Sequence, residues 1–148
     1  MLFLKRASIA KIIRCCICVC CTVLLLNPQA FARSQKNSLE DTQELYAAAI
    51  RWSDFSRAEV VVDPQYLVKH PITDFTRERY QQIEVSRYEP LRTEINPDGS
   101  VSRLIALGVI NRNTQSARTV QYTERWRWDP VTQTWLLASG LPDLWSGH

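Results

Sequence analysis

The chain has 148 residues, with 18 Lys and Arg against 15 Asp and Glu, and five Cys confined to positions 15–21. That length allows one domain with one core behind a leader. Four of the basic residues, Lys5, Arg6, Lys11 and Arg14, lie at the extreme N-terminus; without them 14 basic residues face 15 acidic ones, which excludes the basic footprint of a nucleic-acid binder.

The N-terminus has the order of a secretory signal. A positive region is followed by an uncharged apolar stretch over 15–26, the breaker Asn27-Pro28, and Ala30-Phe31-Ala32 with small residues where a signal peptidase reads. The stretch is shorter than the roughly 20 residues that span a bilayer. Residues 1–32 are therefore expected to be removed, delivering residues 33–148 to the periplasm or the medium. An uncleaved anchor, with Ile12 and Ile13 extending the stretch, is the competing reading and the only expected contact with a membrane. Cys15, Cys16, Cys18, Cys20 and Cys21 fall inside the apolar run, where cysteine behaves as a small apolar residue and no lipobox precedes it. Cleavage after Ala32 leaves a domain without thiol chemistry.

Residues 33–37 read as a short lead-in. Ser38 with Asp41 resembles a capping box, and Leu45, Ala48, Ala49 and Trp52 then share one helical face. Ser53 or Asp54 can cap a second short helix with Phe55, Ala58 and Val62 inward, ended by Asp63-Pro64. A loop through His70-Pro71 leads to a third short helix, capped by Thr73 or Asp74 and running to about Tyr80.

The period then changes. Residues 83–95 read as a strand despite Pro90, and Asn96-Pro97-Asp98-Gly99 is a turn. Residues 101–111 are apolar on both faces, which suits a central strand covered on both sides. Residues 118–129 alternate, with Val120, Tyr122, Trp126 and Trp128 on one face and Thr119, Gln121, Thr123, Arg125 and Arg127 on the other. After Asp129-Pro130 a last strand covers 134–139. The expected class is α+β: N-terminal helices packed on a curved, antiparallel, four-stranded sheet.

This order, and the closing stretch from Glu124 through Trp126, Trp128, Asp129 and Pro130 to Trp135, resembles the nuclear transport factor 2-like (SnoaL-like) superfamily, whose last hairpin joins two tryptophan-bearing strands. The resemblance covers residues 39–142 and implies a cone-shaped domain with a cavity; a cystatin-like domain is the nearest structural alternative. It leaves function open, because that fold hosts enzymes, binding proteins and assembly domains. The histidine–carboxylate and aspartate–tyrosine pairs of its enzymes have no residue-by-residue match here.

Glu124 is in phase with Val120, Tyr122, Trp126 and Trp128, so its carboxylate points to the apolar side of the sheet, where it can act as an acid or base. The structural alternative is an ion pair. A tight hairpin about Asn113-Thr114 places Arg103 opposite Glu124, Ile105 opposite Tyr122 and Leu107 opposite Val120, and this pairing is the favoured expectation. His70 is the one histidine well inside the domain and can serve as a base beside Asp63 or Asp74. Tyr46, Tyr122, Trp126 and Arg103 are the expected cavity lining. Trp52 and Trp126 are expected in the core, Trp128 and Trp135 partly exposed, and Trp145 exposed for a partner contact. No spacing suits a metal, a cofactor phosphate or a nucleophile elbow, so no metal and no cofactor are expected.

Three functions follow. The first is an exported, non-catalytic binding or assembly module, pairing as a homodimer through the open sheet face or with another envelope protein. The second is a small cavity enzyme of isomerase or hydratase type acting on an apolar molecule, with help from Glu124, His70 or Asp63. The third is an accessory domain of an envelope-spanning secretion system. A filled cavity with Arg103 locked to Glu124 favours binding or assembly; an open one with two convergent titratable groups favours the enzyme.

Overall fold

The computed structural model describes residues 28–145, and the side chains among them from Ala32 onward. The expected signal segment, with all five cysteines, lies outside the described residues apart from residues 28–32. By compactness the chain divides into residues 1–37 and 38–148, and the domain is the second of these. Among the described residues four helices come first: α1 (Pro28–Arg51), α2 (Phe55–Glu59), α3 (Pro64–Lys69) and α4 (Asp74–Gln81). Four strands follow: β1 (Ile83–Ile95), β2 (Val101–Asn111), β3 (Ala117–Asp129) and β4 (Thr134–Leu137), in one antiparallel sheet of order β1-β2-β3-β4. The class is α+β with helices before an open sheet.

The helical half departs from the sequence reading in three places. Helix α1 does not start at Ser38, and residues 33–37 are helical. Pro28 stands at its first position, where a missing N–H costs nothing, and no breaker separates it from Arg51; Ser38 is mid-helix, its carbonyl accepting from Thr42 Oγ1 at 2.8 Å. The inward face of α1 is Leu39, Tyr46 and Ile50 with Ala47 and Ala49, whereas Leu45 and Trp52 are 60% and 85% exposed. Trp52 therefore leaves the expected core, because α1 ends at Arg51 and Ser53 turns the chain with φ 57°, its hydroxyl receiving the Val85 N–H at 2.9 Å. The expected loop before His70 contains α3: Pro64 occupies its first turn, and the Asp63 side chain caps it by accepting the Gln65 N–H at 2.9 Å.

Elsewhere the local chemistry acts as read. Asp54 caps α2 through the Arg57 N–H, Thr73 caps α4 through the Thr76 N–H, and Phe55, Ala58 and Val62 are buried. Strand β1 passes Pro90 by shifting register between Val85 and Arg87 and again between Pro90 and Arg92. Bulges of this kind re-aim side chains and increase twist. Between β2 and β3 a five-residue loop, residues 112–116, sets the register Arg103–Glu124, Ile105–Tyr122 and Leu107–Val120. Strand β2 is central, with Val101, Ile105, Leu107 and Val109 buried on the helix side. On the other side Ala106 and Gly108 are buried while Leu104 and Ile110 are half-buried between β1 and β3 neighbours, so the outer face is covered at its middle and partly open at Leu104 and Ile110.

Beyond β4, Val62 pairs with Leu137 in a parallel bridge, and the Asp63 N–H reaches the Leu137 carbonyl at 3.0 Å. This joins the segment between α2 and α3 to the sheet edge. Gly140 ends β4's extension with φ +72°, a conformation that favours glycine, and a Cβ there would lie 2.3 Å from Tyr66 Cε1 and force that ring to move. The tail then folds inward. Leu144 is fully buried, Arg118 donates to its carbonyl, and Tyr80 Oη donates to the Pro142 carbonyl at 2.9 Å. Consequently Trp145 is half-buried against Tyr80 and under the Arg79 guanidinium, not exposed as expected, while Trp135 is buried against Trp128, which is itself half-buried.

Candidate functional site

The register fixes the chemistry of the helix-facing side of the sheet. Alternation along β3 turns Tyr122, Glu124 and Trp126 inward, and the hairpin sets Arg103 of β2 beside Glu124. The first bulge in β1 turns Tyr88 inward as well, three residues after Val85 instead of two. Tyr46 comes from α1 and meets the Trp126 ring edge-on at 5.4 Å.

Glu124 is 0% exposed and its carboxylate is almost fully subscribed. Oε1 accepts from Tyr88 Oη at 2.5 Å and from Tyr122 Oη at 2.8 Å. Oε2 accepts from Trp126 Nε1 at 2.9 Å and faces the Arg103 guanidinium at 3.6 Å. Because Tyr122 spends its only proton on Glu124, Tyr46 must be the donor in the 3.0 Å contact between the two phenols. The result is a directed chain from Tyr46 to Tyr122 to Glu124. Burial raises the pKa values of Tyr46, Tyr88 and Tyr122 above the ordinary phenol range, and the Glu124 charge raises them further. They are proton-holding donors. Such an arrangement holds a charge in place; it does not offer one to a substrate.

His70 and Asp63 are not brought to Glu124, nor to each other. They stand at opposite ends of α3. His70 is exposed, with its ring against Tyr66 at 4.6 Å. Asp63 is buried and spent: Oδ1 caps α3 and Oδ2 receives Arg127 Nε at 2.5 Å, bonds that hold its carboxyl below the usual range, the Arg127 bond foremost. Asp74 lies in the first turn of α4. Among the described residues no group of three or more His, Cys, Asp or Glu side chains is placed to hold a metal.

Tyr88 and the Trp126 indole donor were missed as partners of Glu124. Tyr88 is hidden from strand periodicity by the bulge, and the alternation that turns Trp126 inward does not say where its indole N–H points. Arg103 does more than pair with Glu124. Its side chain is 12% exposed and floors an open recess of ≈ 230 Å³, walled by Glu40, Gln43, Glu44, Ala47 and Arg51 from α1. A second recess of ≈ 160 Å³ lies between α2 and α4, beside the Arg77–Glu59 ion pair.

In comparisons with known proteins, no family model matches the chain, and no curated protein and no solved structure is significantly similar to it.

Proposed function

We propose that the chain is an exported, periplasmic domain of nuclear transport factor 2-like architecture that works by binding and assembly, not by catalysis, and pairs with a second copy through its open sheet face. The observation that carries the non-catalytic reading is the sealing of Glu124: the one carboxylate inside the sheet is fully buried and held by three hydrogen bonds and an arginine. A general acid or base must come within hydrogen-bond reach of a substrate proton. His70 and Asp63, at either end of α3, supply no replacement.

The outer sheet face supports the pairing. A column of Leu104, Ala106 and Ile110 runs along β2 beside a column on β1 in which Arg87 pairs with Glu89 at 3.4 Å and Arg92 with Glu94 at 3.2 Å. Alternating charges of this kind are complementary to themselves under a two-fold axis, as an isologous interface requires. Removal of residues 1–32 is part of the same proposal, supported by the charged, apolar, small-residue order of the leader.

The test is to recover the protein from the periplasm of a Gram-negative host, determine its N-terminal residue, and measure its mass by sedimentation velocity. Arg33 at the N-terminus and a dimer abolished by Leu104→Arg, at a half-buried position of the outer face, are expected. Residues before Arg33 reject the cleavage, and a monomer at high micromolar concentration rejects the pairing.

A further inference from the structure

Of the two sheet edges, β4 is met by Val62 in its parallel bridge with Leu137, and the other edge is β1. An edge strand points unpaired N–H and C=O groups sideways, where a further strand can join them. The Ser53 hydroxyl satisfies one of these, the Val85 N–H, and Pro90 has no N–H to offer. Past Tyr88 the strand leaves the core. Residues 89–95 are exposed without a break, Leu91 at 46% and Ile95 at 80%.

The charges on this stretch select the occupant. Arg87, Glu89, Arg92 and Glu94 lie opposite Gly108, Ala106, Leu104 and Ser102, so all four share the outer side of the sheet. Laid antiparallel on a copy of itself, with the two-fold axis between Pro90 and Leu91, the strand sets Glu89 against the partner's Arg92 and Arg87 against the partner's Glu94. Symmetry repeats both pairs. Opposite charges placed directly across two strands stabilise a sheet, and like charges there destabilise it. An axis between Glu89 and Pro90 would set Arg87 against the partner's Arg92, and one between Leu91 and Arg92 would set Glu89 against the partner's Glu94. An axis through Pro90 or Leu91 pairs no charge with a charge. The same single register brings Ile95, on the helix side opposite Val101, to the partner's Ser86, next to the Val85–Ser53 bond. Trp52, 85% exposed at the end of α1, adjoins that bond, so two exposed apolar side chains cover each other. We infer that β1 pairs edge to edge with β1 of a second copy in this register. The inference rests on the proposed reading of the domain as an assembly module and adds a contact to it: the outer face closes a pair, and the edge joins pairs to one another. About ten residues a side take part, against the roughly 20–30 of a stable interface, so the edge contact alone is transient and leaves Leu104→Arg copies single in sedimentation.

The test is disulfide trapping in a glutathione buffer, on the exported protein carrying Leu104→Arg so that no face pair contributes. Leu91→Cys places a thiol beside the axis. Val131→Cys, 88% exposed in the turn between β3 and β4, reports random collision, and the protein without an added cysteine is the blank. Leu91→Cys is expected to cross-link at least tenfold faster than Val131→Cys. Adding Glu89→Arg or Arg92→Glu, both at exposed positions, should slow it to the collision rate, because each sets like charges across the axis. An equimolar mixture of those two proteins should recover the fast rate, since opposite charges meet again at every position. Mixing cannot repair the Arg87–Glu89 or Arg92–Glu94 pair within a chain, so recovery reports the contact between copies. Equal rates for Leu91→Cys and Val131→Cys overturn the edge contact. A fast rate that ignores both charge reversals, or one that mixing does not recover, overturns the register. Sedimentation of the exported protein with and without Leu104→Arg, before oxidation, reports the face pair separately, so a failure of that pairing is not mistaken for a failure of the edge.

Discussion

At the scale of single residues, Glu124 behaves differently from most buried ion-pair partners. Replacing a buried ion pair with apolar residues of similar size is often neutral or stabilising, because two desolvation costs vanish together. Here that rule fails, since three further donors depend on the same carboxylate: Tyr88, Tyr122 and Trp126. In Glu124→Gln the amide oxygen can replace Oε1 and keep both tyrosines. The amide nitrogen then replaces Oε2 and sets a donor against the Trp126 N–H and the Arg103 cation. A loss of about 3 kcal/mol is expected, the low end for a broken buried pair, because Arg103 still touches water through the recess. Adding Arg103→Met should restore part of it by removing the orphan cation. Glu124→Leu should cost more than Glu124→Gln, since all three donors are stranded at about 1–3 kcal/mol each. Urea denaturation of the four proteins gives the comparison. Equal stability of wild type and Glu124→Gln would show the network to be dispensable.

At the scale of elements, Asp63 ties three of them together: it caps α3, its N–H bonds to β4, and its side chain receives Arg127 of β3. Its lowered pKa, due first to the Arg127 bond, makes this link sensitive to acid. A carboxyl depressed by folding contributes stability that is present above its unfolded value of about 3.9 and is lost as pH falls through the folded value. Asp63→Asn should therefore lower Tm at pH 7, with the gap to wild type closing below about pH 4; a gap that stays constant down to pH 2 would refute the role of the charge. The same elements indicate what is legible in a sequence. The Arg103–Glu124 register followed from two alternating strands and a short turn, because a strand's period leaves one face per residue. Tyr88 was not legible: in-phase counting from Ile83 and Val85 puts Arg87 inside, and the bulge reverses that. Helix α1 misled for another reason. It carries two apolar faces, one with Tyr46 and Ile50 and one with Leu45 and Trp52, and periodicity alone has no means of choosing which meets the sheet. Helix α3 was hidden because Asp63-Pro64 reads equally as the end of one helix and the start of the next.

At the scale of the whole molecule, the domain's core is unusually dependent on phenols that keep their protons. Four of the five tyrosines, Tyr46, Tyr80, Tyr88 and Tyr122, have pKa values raised above the ordinary phenol value of about 10, in each case chiefly by burial. They sit in different elements (α1, α4, β1 and β3), so their ionisation bears on the entire interior. The sign follows from linkage. The unfolded chain releases these protons near pH 10 while the folded one retains them. Their contribution is fully present below pH 10 and is lost as pH rises from there toward the raised native values. Stability should accordingly fall steeply above about pH 10, with up to four protons released per molecule on unfolding. The measurement is an alkaline titration followed at once by tyrosinate absorbance and by far-ultraviolet circular dichroism. Below the transition most of the tyrosinate signal should be missing, and it should appear together with the loss of ellipticity. If four phenols instead ionised near pH 10 with the ellipticity intact, the Tyr46–Tyr122–Glu124 chain would be open to solvent, and the sealed interior on which the non-catalytic reading stands would be gone.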